Sequence, residues 1–277
     1  MKFTKIHICL LLAALLAFSL VSCTQPSAPV MGDTEATETP ETTETAEPTE
    51  PPETEPPLPK KRVAFTYDDG PAFDNSTAQR LTYKLVDKFS EYGGAATFFL
   101  VGNRINKTTG EAIKYASEHG CEIGIHAYTH DYNFSTCDYE IFESELADTK
   151  AAIEKYSGKT VTLFRPPYGS ITEYRAEASG YPIIHWNLDS EDWRYKGRAD
   201  DVTAQSNIDT IVDNVLSVIE DGDIILMHEI YLNTYEATCI ILDRLAAEGY
   251  EFVTVTELLG EKNMKVGEIY YNGEPIA

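Results

Sequence analysis

Two adjacent aspartates and two histidines spaced four residues apart are the side chains in this sequence best suited to metal chemistry. Asp68 and Asp69 precede Gly70, and His126 and His130 stand further along the chain. Two imidazoles and one carboxylate leave open coordination positions on a metal ion, which a catalytic ion needs and a structural ion lacks. A second carboxylate beside the ion can take a proton from water. The pattern predicts a catalytic metal centre with a general base next to it.

Short apolar runs bounded by turns recur along the chain and are typical of buried strands. They are Val63 to Tyr67, Ala95 to Val101, Ile123 to His126, Val161 to Phe164, Ile183 to Leu188, Asp223 to Met227 and Phe252 to Val255. The stretches between them have apolar residues at helical spacing, such as Leu81, Leu85 and Phe89. Strands that alternate with helices predict a parallel sheet with right-handed crossovers.

Polar side chains stand where several of these runs end. Asp68 and Asp69 end the first run, His126 the third and His228 the sixth, while Arg165 directly follows the fourth. In a closed barrel the carboxyl ends of all strands open onto one face, whereas an open sheet would spread them along a crevice. We therefore expect a single α/β domain that forms a β/α barrel.

Five segments carry a resemblance to a known family. In chain order they are Thr66 to Pro71, His126 to His130, Arg165 to Gly169, Asp189 to Trp193 and Leu226 to His228. In this order and spacing they resemble the polysaccharide deacetylases, carbohydrate esterases whose catalytic unit is the NodB homology domain. The resemblance extends from about Arg62 to Leu259. It implies an irregular, seven-stranded β/α barrel and metal-dependent removal of acetyl groups.

The resemblance also implies roles for the metal ligands and the base. Asp69, His126 and His130 would bind a divalent metal, with Zn²⁺ expected first and Co²⁺, Ni²⁺ or Mn²⁺ as alternatives. Asp68 would be the general base. Neighbouring side chains on a regular strand point to opposite faces, so both aspartates can enter one site only if the pleat breaks. We expect the break at Gly70-Pro71.

Other matched positions would act on the leaving group and the oxyanion. His228 would be the general acid, and Asp192 would hold it protonated by raising its pKa. Arg165 would orient Asp68. The backbone N–H of Tyr168, stiffened by the preceding prolines, would point at the developing oxyanion.

Three further positions of the matched segments have roles that the sequence leaves open. Trp193 would form an aromatic wall of the groove and Leu226 would line the pocket for the acetyl methyl group, although either could be ordinary core. The family's second segment usually has Ser or Thr after its first histidine, and this chain has Ala127. Loss of that hydroxyl removes a brace of the loop, which Tyr128 or Thr129 could replace. His119 and His185 match no position of the family pattern, and we expect both to be structural.

The first residues have the layout of a secretory signal. Lys2 and Lys5 precede an apolar run from Ile8 to Val21, and Cys23 follows Ser22. This pattern resembles a bacterial lipoprotein signal, in which Cys23 becomes the lipid-carrying first residue. The alternative is an ordinary signal peptide with a chance cysteine. We expect a signal peptide at 1–22, a lipid-anchor cysteine and linker at 23–60, and the catalytic domain at 61–277.

Composition limits the partners of the chain. The stretch from Thr24 to Pro59 is rich in Thr, Glu and Pro and has no aromatic residue, so we expect it to be a disordered tether. The formal net charge is −23, and the domain after the tether is itself acidic. Acidic domains are poor ligands for nucleic acid. We expect no nucleic-acid partner, a neutral or cationic substrate, and a monomer. Of Cys121, Cys137 and Cys239, at most two can form a disulfide, and three buried thiols are the simpler expectation.

Together these features predict a lipid-anchored enzyme on the outer face of the cell membrane. Its expected reaction is removal of N-acetyl groups from peptidoglycan, at N-acetylglucosamine or N-acetylmuramic acid. One alternative is an O-acetyl esterase acting on xylan or a similar polysaccharide. Another is a carbohydrate-binding protein that has lost turnover, for which Ala127 is the only support.

Overall fold

The computed structural model describes residues 60–72, 80–196 and 204–273. The predicted signal peptide, Cys23 and the tether up to Pro59 lie outside the described residues. No helix in the described ranges is long and apolar enough to cross a membrane.

Short parallel strands alternate with helices along the described chain. The strands are β1 Arg62–Gly70, β2 Thr97–Leu100, β3 Glu122–Ile125, β4 Ile183–Ile184, β5 Leu188–Asp189, β6 Ile224–His228, β7 Glu251–Phe252 and β8 Ile269–Tyr270. The helices are α1 Leu81–Glu91, α2 Lys107–Glu118, α3 Tyr139–Ser157, α4 Glu173–Ala178, α5 Ala204–Leu216, α6 Leu232–Ala247 and α7 Val255–Leu259. The predicted helical residues Leu81, Leu85 and Phe89 are all buried on α1.

The longest strand, β1, is the centre of the sheet. Hydrogen-bonded neighbours follow the order β3-β2-β1-β6-β5, all parallel, and β7 pairs with the first residues of β1. Phe164 continues the sheet by bridging Ile125 of β3 to Ile183 of β4, which also pairs with β8. Counted from β5 through β6, β1, β2, β3 and the Phe164 bridge to β4, the sheet has seven strand positions, and β7 and β8 are short additions to it. This agrees with the irregular seven-stranded β/α barrel that the sequence predicts.

Several predicted strands are shorter than their apolar runs. The run from Val161 to Phe164 contributes only the bridge at Phe164, and the run from Ile183 to Leu188 divides into β4 and β5. The carbonyls of Ile184 and His185 accept hydrogen bonds from the Arg165 guanidinium, at 2.9 and 2.8 Å, and so are occupied by a side chain at this break.

The last predicted strand ends early for a different reason. β7 includes Phe252 but stops there, and α7 begins at Val255. Thr254 and Glu257 form a capping box at the start of α7, in which each side chain accepts from the other's backbone N–H. The apolar run to Val255 therefore spans the end of a strand and the first turn of a helix.

Aromatic side chains fill the space between the sheet and α1. Phe65 packs edge-on against Phe89 and Phe252, with ring centroids 5.4 and 5.8 Å apart, and Tyr67 stacks on Phe98. All of them are at most 4% exposed. Burying a side chain of this size stabilises the fold by roughly 1.5 to 3 kcal/mol. This layer holds β1 rigidly, and β1 carries the two aspartates.

Three cysteines lie in the described residues, and all are free thiols. Cys121 is buried, whereas Cys137 and Cys239 are only partly buried. The expectation of free thiols is confirmed there, but the expectation that all three are buried is wrong.

Candidate active site

The strand register brings the predicted base and acid to the same end of the barrel. Asp68 of β1 and His228 of β6 are paired residues of neighbouring parallel strands. His126 directly follows β3, and its backbone N–H bonds to the carbonyl of Leu100, the last residue of β2, at 2.9 Å. Because the strands are parallel, these residues share the carboxyl end of the barrel.

Asp69, His126 and His130 converge as one group. One ligand atom from each lies within 4.8 Å of the others. The Nε2 atom of His130 is 3.1 Å from Oδ1 of Asp69, and Nε2 of His126 is 3.7 Å from the same oxygen. Among the described residues, this is the group of His, Cys, Asp and Glu side chains with metal-ligand geometry.

Local chemistry fits this group to a divalent cation. Oδ1 of Asp69 is buried and has no hydrogen-bond partner, although a buried carboxylate oxygen is costly to leave unpaired. His126 hydrogen-bonds through Nδ1 to the carbonyl of Arg165 at 2.8 Å, which leaves Nε2 facing Asp69. Metal-binding histidines are usually oriented in this way. Two imidazole nitrogens and one carboxylate oxygen suit zinc and similar ions.

Electrostatics favour the protonation states that bind a metal. Burial raises the pKa of Asp69, but His126, His130, His228 and Arg104 together outweigh burial and lower it overall. Burial and the neighbouring His126 lower the pKa of His130. At neutral pH the carboxylate is ionised and this imidazole is neutral, which are the forms that coordinate a cation.

The backbone around the site is in an unusual conformation. Among the described residues, the non-glycine residues with positive φ are Asp69, Ala127, His130, Tyr168 and Glu191, with φ between 56° and 71°. All five belong to the segments that carried the family resemblance. Non-glycine residues in this region cost of order 1 to 3 kcal/mol each and cluster at functional sites.

The predicted break in the pleat of β1 is present but lies one residue earlier than expected. The register between β1 and β2 shifts between Tyr67 and Gly70, and the positive φ falls on Asp69. This turn lets Asp68 and Asp69 both face the site. Gly70 is needed for another reason, because a Cβ there would lie 1.4 Å from Oε1 of Glu229.

Arg165 orients the candidate base, Asp68. Its Nη1 donates to Oδ1 of Asp68 at 2.8 Å and to the Thr66 hydroxyl at 2.8 Å. The guanidinium is fully buried and lies over the ring of Phe99, with its central carbon 4.3 Å from the ring centroid. Oδ2 of Asp68 points instead towards the metal group, 3.5 Å from Nε2 of His126. The predicted contact between Arg165 and Asp68 is thus present, and it leaves one carboxylate oxygen free.

His228 is held by a separate hydrogen-bond network. Its Nδ1 lies 2.8 Å from Oδ1 of Asp192, and its backbone N–H donates to Oδ2 of the same carboxylate at 2.7 Å. The Thr234 hydroxyl donates to Oδ2 as well, at 2.6 Å. Burial alone would lower the pKa of His228, but the hydrogen bond and charge of Asp192 outweigh it and raise the pKa to about 9.

A cleft of about 380 Å³ lies over these groups. It is lined by Asp68, Asp69, His126, His130, Tyr168, Trp186, Asp189, Trp193, Lys196, Leu226, His228 and Tyr231. Trp193 is 38% exposed and Leu226 only 4%. Both side chains that the sequence left as wall or core therefore contact the cleft. Trp186, Lys196 and Tyr231 were not predicted, because no spacing rule relates them to the metal group.

Glu145 is the most informative residue that the sequence analysis missed. Its buried carboxylate accepts from the backbone N–H groups of Tyr128 and Thr129, at 2.7 and 2.8 Å, and from the Thr129 hydroxyl at 2.7 Å. It therefore braces the turn between His126 and His130. Thr129 was named as a possible replacement for the hydroxyl missing at Ala127, but its anchor lies on α3.

The two other histidines of the described residues lie apart from the metal group. His119 is exposed and packs against Tyr115, with ring centroids 3.9 Å apart. His185 is partly buried and packs against Trp186 and Tyr271. Burial and the adjacent Arg165 lower its pKa to about 4, so it is neutral at physiological pH.

Comparison with known proteins places this geometry in a family. The family model described as polysaccharide deacetylase matches residues 55–182. A peptidoglycan-N-acetylglucosamine deacetylase, PgdA, of Listeria monocytogenes is 34% identical over 221 residues, covering 78% of this chain and 43% of the relative. A peptidoglycan-N-acetylmuramic acid deacetylase, PdaC, of Bacillus subtilis is 34% identical over 199 residues, covering 72% and 39%. The chain thus spans about two fifths of the length of these curated relatives.

One similar solved structure is covered over its whole length. A family 4 acetyl xylan esterase from Clostridium thermocellum, determined in complex with a cobalt ion, is 33% identical, with a TM-score of 0.65. The match covers 78% of this chain and all of that one. The fold, the matched segments and these relatives agree: this chain belongs to the polysaccharide deacetylase family.

Proposed function

We propose that this protein is a metal-dependent hydrolase that removes N-acetyl groups from a polysaccharide. One observation carries the proposal. Asp68 and His228 are paired on neighbouring strands at the same cleft, and the group of Asp69, His126 and His130 lies beside them. The arrangement supplies a base, an acid and a metal site within reach of one substrate.

Asp69, His126 and His130 hold the metal, for which zinc is the first candidate and cobalt, nickel and manganese are alternatives. A divalent ion bound there supplies Lewis acidity towards the acetyl oxygen and lowers the pKa of water from about 15.7 to roughly 7. The cobalt ion in the acetyl xylan esterase structure supports a metal of this class. Two residues hold the histidines in place. The backbone carbonyl of Arg165 bonds to Nδ1 of His126, and the Glu145 carboxylate bonds to the turn before His130.

Asp68 acts as the general base. Arg165 occupies Oδ1, so Oδ2 is the oxygen that takes the proton from the attacking water. The buried guanidinium keeps the carboxylate oriented without contacting the substrate. A positioned base contributes on the order of 10² to 10⁴ in rate.

His228 acts as the general acid. With Nδ1 bonded to Asp192, its Nε2–H is the proton that reaches the leaving amine. An amide needs this step because the amine must be protonated before it departs. The raised pKa of His228 keeps the imidazolium populated at neutral pH.

Other cleft residues position the acetyl group. The backbone N–H of Tyr168 stabilises the oxyanion, a contribution worth about 3 to 4 kcal/mol in other hydrolases. Leu226 contacts the acetyl methyl group, and Trp193 forms an aromatic wall on the β5 side, where its Nε1 lies 3.5 Å from Oδ2 of Asp189. Asp189 also accepts from the backbone N–H of Glu191, which holds this turn in place.

Peptidoglycan is the proposed substrate, at N-acetylglucosamine or N-acetylmuramic acid. The names of the Listeria and Bacillus relatives support it. O-deacetylation of xylan is the second candidate, since one similar structure is an acetyl xylan esterase. The same base and metal groups serve both reactions, and esters depend less on the acid.

Acetate release from purified peptidoglycan, chitooligosaccharide and acetylated xylan, measured side by side, tests this proposal. We expect the highest kcat/KM on peptidoglycan, loss of activity with a chelator, and recovery on adding Zn²⁺. Faster release from xylan would favour the esterase alternative. No metal-dependent release from any of the three would contradict a deacetylase function.

The proposed location is the outer face of the cell membrane. Residues 1–22 direct export, Cys23 carries the lipid, and the stretch to residue 60 tethers a monomeric domain near the cell wall. Membrane fractionation should find the intact protein with the membrane and a Cys23→Ala variant in the medium. A protein that begins at Lys60 should keep its melting temperature and its rate on small substrates. A marked drop in either would show that the tether packs on the domain.

A further inference from the structure

Tyr132 is one of the most exposed large side chains among the described residues. It is 80% exposed and stands two residues after His130, outside the residues that line the cleft. Single exposed apolar side chains are common on protein surfaces, whereas contiguous exposed apolar surface often marks a binding site. No role assigned above uses this ring.

The turn that carries Tyr132 is held by internal hydrogen bonds. Oδ1 of Asp131 accepts the backbone N–H of Asn133 at 2.7 Å, and the carbonyl of Asp131 accepts that of Phe134 at 3.1 Å. The Phe134 side chain is 2% exposed and packs against Phe142. The chain thus buries one aromatic ring and holds Tyr132 outward from the same turn.

Tyr132 is continuous with the cleft through Tyr168. The Tyr132 and Tyr168 rings meet at 63°, with centroids 5.5 Å apart, and Tyr168 lies 4.7 Å from the ring of His130. Tyr168 is 57% exposed and lines the cleft. A hydrogen bond between the Ser135 and Ser170 hydroxyls, 3.1 Å apart, ties the two loops together. The two tyrosines, here called the tyrosine shelf, extend the cleft on the side of the metal group.

We propose that the tyrosine shelf is a second sugar subsite, which binds the sugar next to the one that loses its acetyl group. This inference rests on the proposed polysaccharide substrate. The face of a pyranose ring that carries C–H groups packs well on an aromatic ring, and the two phenol hydroxyls can hydrogen-bond to sugar hydroxyls. A tyrosine has two side-chain torsions, so little conformational entropy is lost when it binds.

Charge favours a neutral sugar as the occupant. Asp131 lies next to Tyr132 in sequence, Asp68 and Asp69 line the neighbouring cleft, and the whole chain carries a formal charge of −23. These carboxylates favour an uncharged sugar over an anionic one, so the subsite suits N-acetylglucosamine as the neighbour of the sugar that loses its acetyl group. The hydrogen bonds of the turn and the contact with Tyr168 hold the ring beside the cleft before binding, which reduces the cost of association.

Substrate length separates the shelf from the reaction centre. The test compares kcat/KM on the pentamer of N-acetylglucosamine with kcat/KM on 4-nitrophenyl acetate, which has no neighbouring sugar. For Tyr132→Ala we expect the ratio of the two to fall at least fivefold, through KM on the pentamer. Tyr132→Phe should stay within twofold of the wild type. Tyr92→Ala, at the opposite end of the barrel, is the control and should leave the ratio unchanged.

A binding measurement makes the result independent of turnover. In an Asp68→Asn background, calorimetry with the same pentamer should show at least fivefold weaker binding after Tyr132→Ala. Equal affinity with and without Tyr132, or no binding of the pentamer at all, would overturn the subsite. If the pentamer binds through Tyr132 but the wild type releases no acetate from any saccharide, the proposed function fails and the subsite stands.

Discussion

The two sides of the cleft differ in how the oxygens of their buried carboxylates are bonded. On the side of β1 and β3, Oδ1 of Asp69 is buried without a hydrogen-bond partner. On the side of β6, both oxygens of Asp192 are bonded, one to the ring of His228 and the other to its backbone and to Thr234. The metal side is arranged around a group that the chain does not supply, whereas the acid side is complete within the chain.

The backbone follows the same division. Asp69 and His130 have positive φ, and so does Ala127 between the two histidines, whereas His228 is a regular residue of β6. Strained residues persist only where their surroundings determine them. On the metal side, that support comes from Glu145 and Arg104, which bond to the turn before His130 and to the carbonyl of Asp69. This difference predicts that metal affinity depends on residues that support the backbone of the ligands, such as Glu145 and Arg104. The pKa of His228 should depend instead on its direct partner, Asp192.

Loss of one metal ligand should have the largest effect. His130→Ala removes the imidazole nitrogen nearest to Asp69, and with it the group that both activates water and polarises the acetyl oxygen. We expect metal content to fall from near one equivalent to background, and activity to fall by more than either proton-transfer variant. Elemental analysis of the purified protein checks this. Full metal content in His130→Ala would remove His130 from the ligand set.

Variants of the two proton-transfer residues should come next. Asp68→Asn and His228→Ala should each lower kcat on an N-acetylated oligosaccharide by about 10² or more. Both should retain the metal, because neither residue belongs to the ligand group. Steady-state kinetics and metal analysis on the same preparations measure the two effects. Loss of metal from either variant would contradict the separation of the proton-transfer residues from the metal ligands.

A change in pH dependence should single out the acid side. Asp192 raises the pKa of His228, so the imidazolium is the main form below about pH 9 and is lost as pH rises through that value. Positive charge from a bound metal lowers this value, but removing Asp192 lowers it further. For Asp192→Asn we expect the alkaline limb of the kcat profile to move to lower pH by at least about one unit. An unshifted limb would mean that another group sets it.

The smallest effect on rate should come from the brace of the metal side. Glu145→Gln keeps the shape but weakens three hydrogen bonds to the turn between the histidines. We expect metal affinity to fall about 10- to 100-fold, as for other residues that orient ligands, with kcat nearly restored at saturating metal. Asp148→Asn, an exposed carboxylate on the same helix, is the matched control. Unchanged affinity in Glu145→Gln would mean that the turn holds itself.

Much of this arrangement could be predicted from the sequence because it depends on short-range patterns. Apolar runs located β1, β2, β3 and β6, and the polar residues at their ends predicted one catalytic face. The division of the predicted strand after Ile184 could not be predicted, because the Ile184 carbonyl there accepts a hydrogen bond from the side chain of Arg165. Such a contact leaves no periodic signal in the chain.

The site residues could likewise be predicted only in part. Spacing and family resemblance brought out Asp68, Asp69, His126, His130 and His228, which the structure places at one cleft. Glu145 was missed because the sequence does not distinguish a buried glutamate on a helix from the exposed glutamates of the same helix. The positive φ of Asp69 was missed because Gly70 beside it is the usual residue for a backbone break. Contacts across the fold, rather than local propensity, decide both positions.

An activated ester offers the most direct test of the central claim, that the two sides of the cleft handle different protons. The leaving group of 4-nitrophenyl acetate needs no proton, whereas water must still be deprotonated. We predict that His228→Ala recovers most of its activity on this ester relative to an amide substrate, and that Asp68→Asn stays impaired on both by about 10² or more. Equal impairment of the two variants on the ester would contradict the assignment of base and acid.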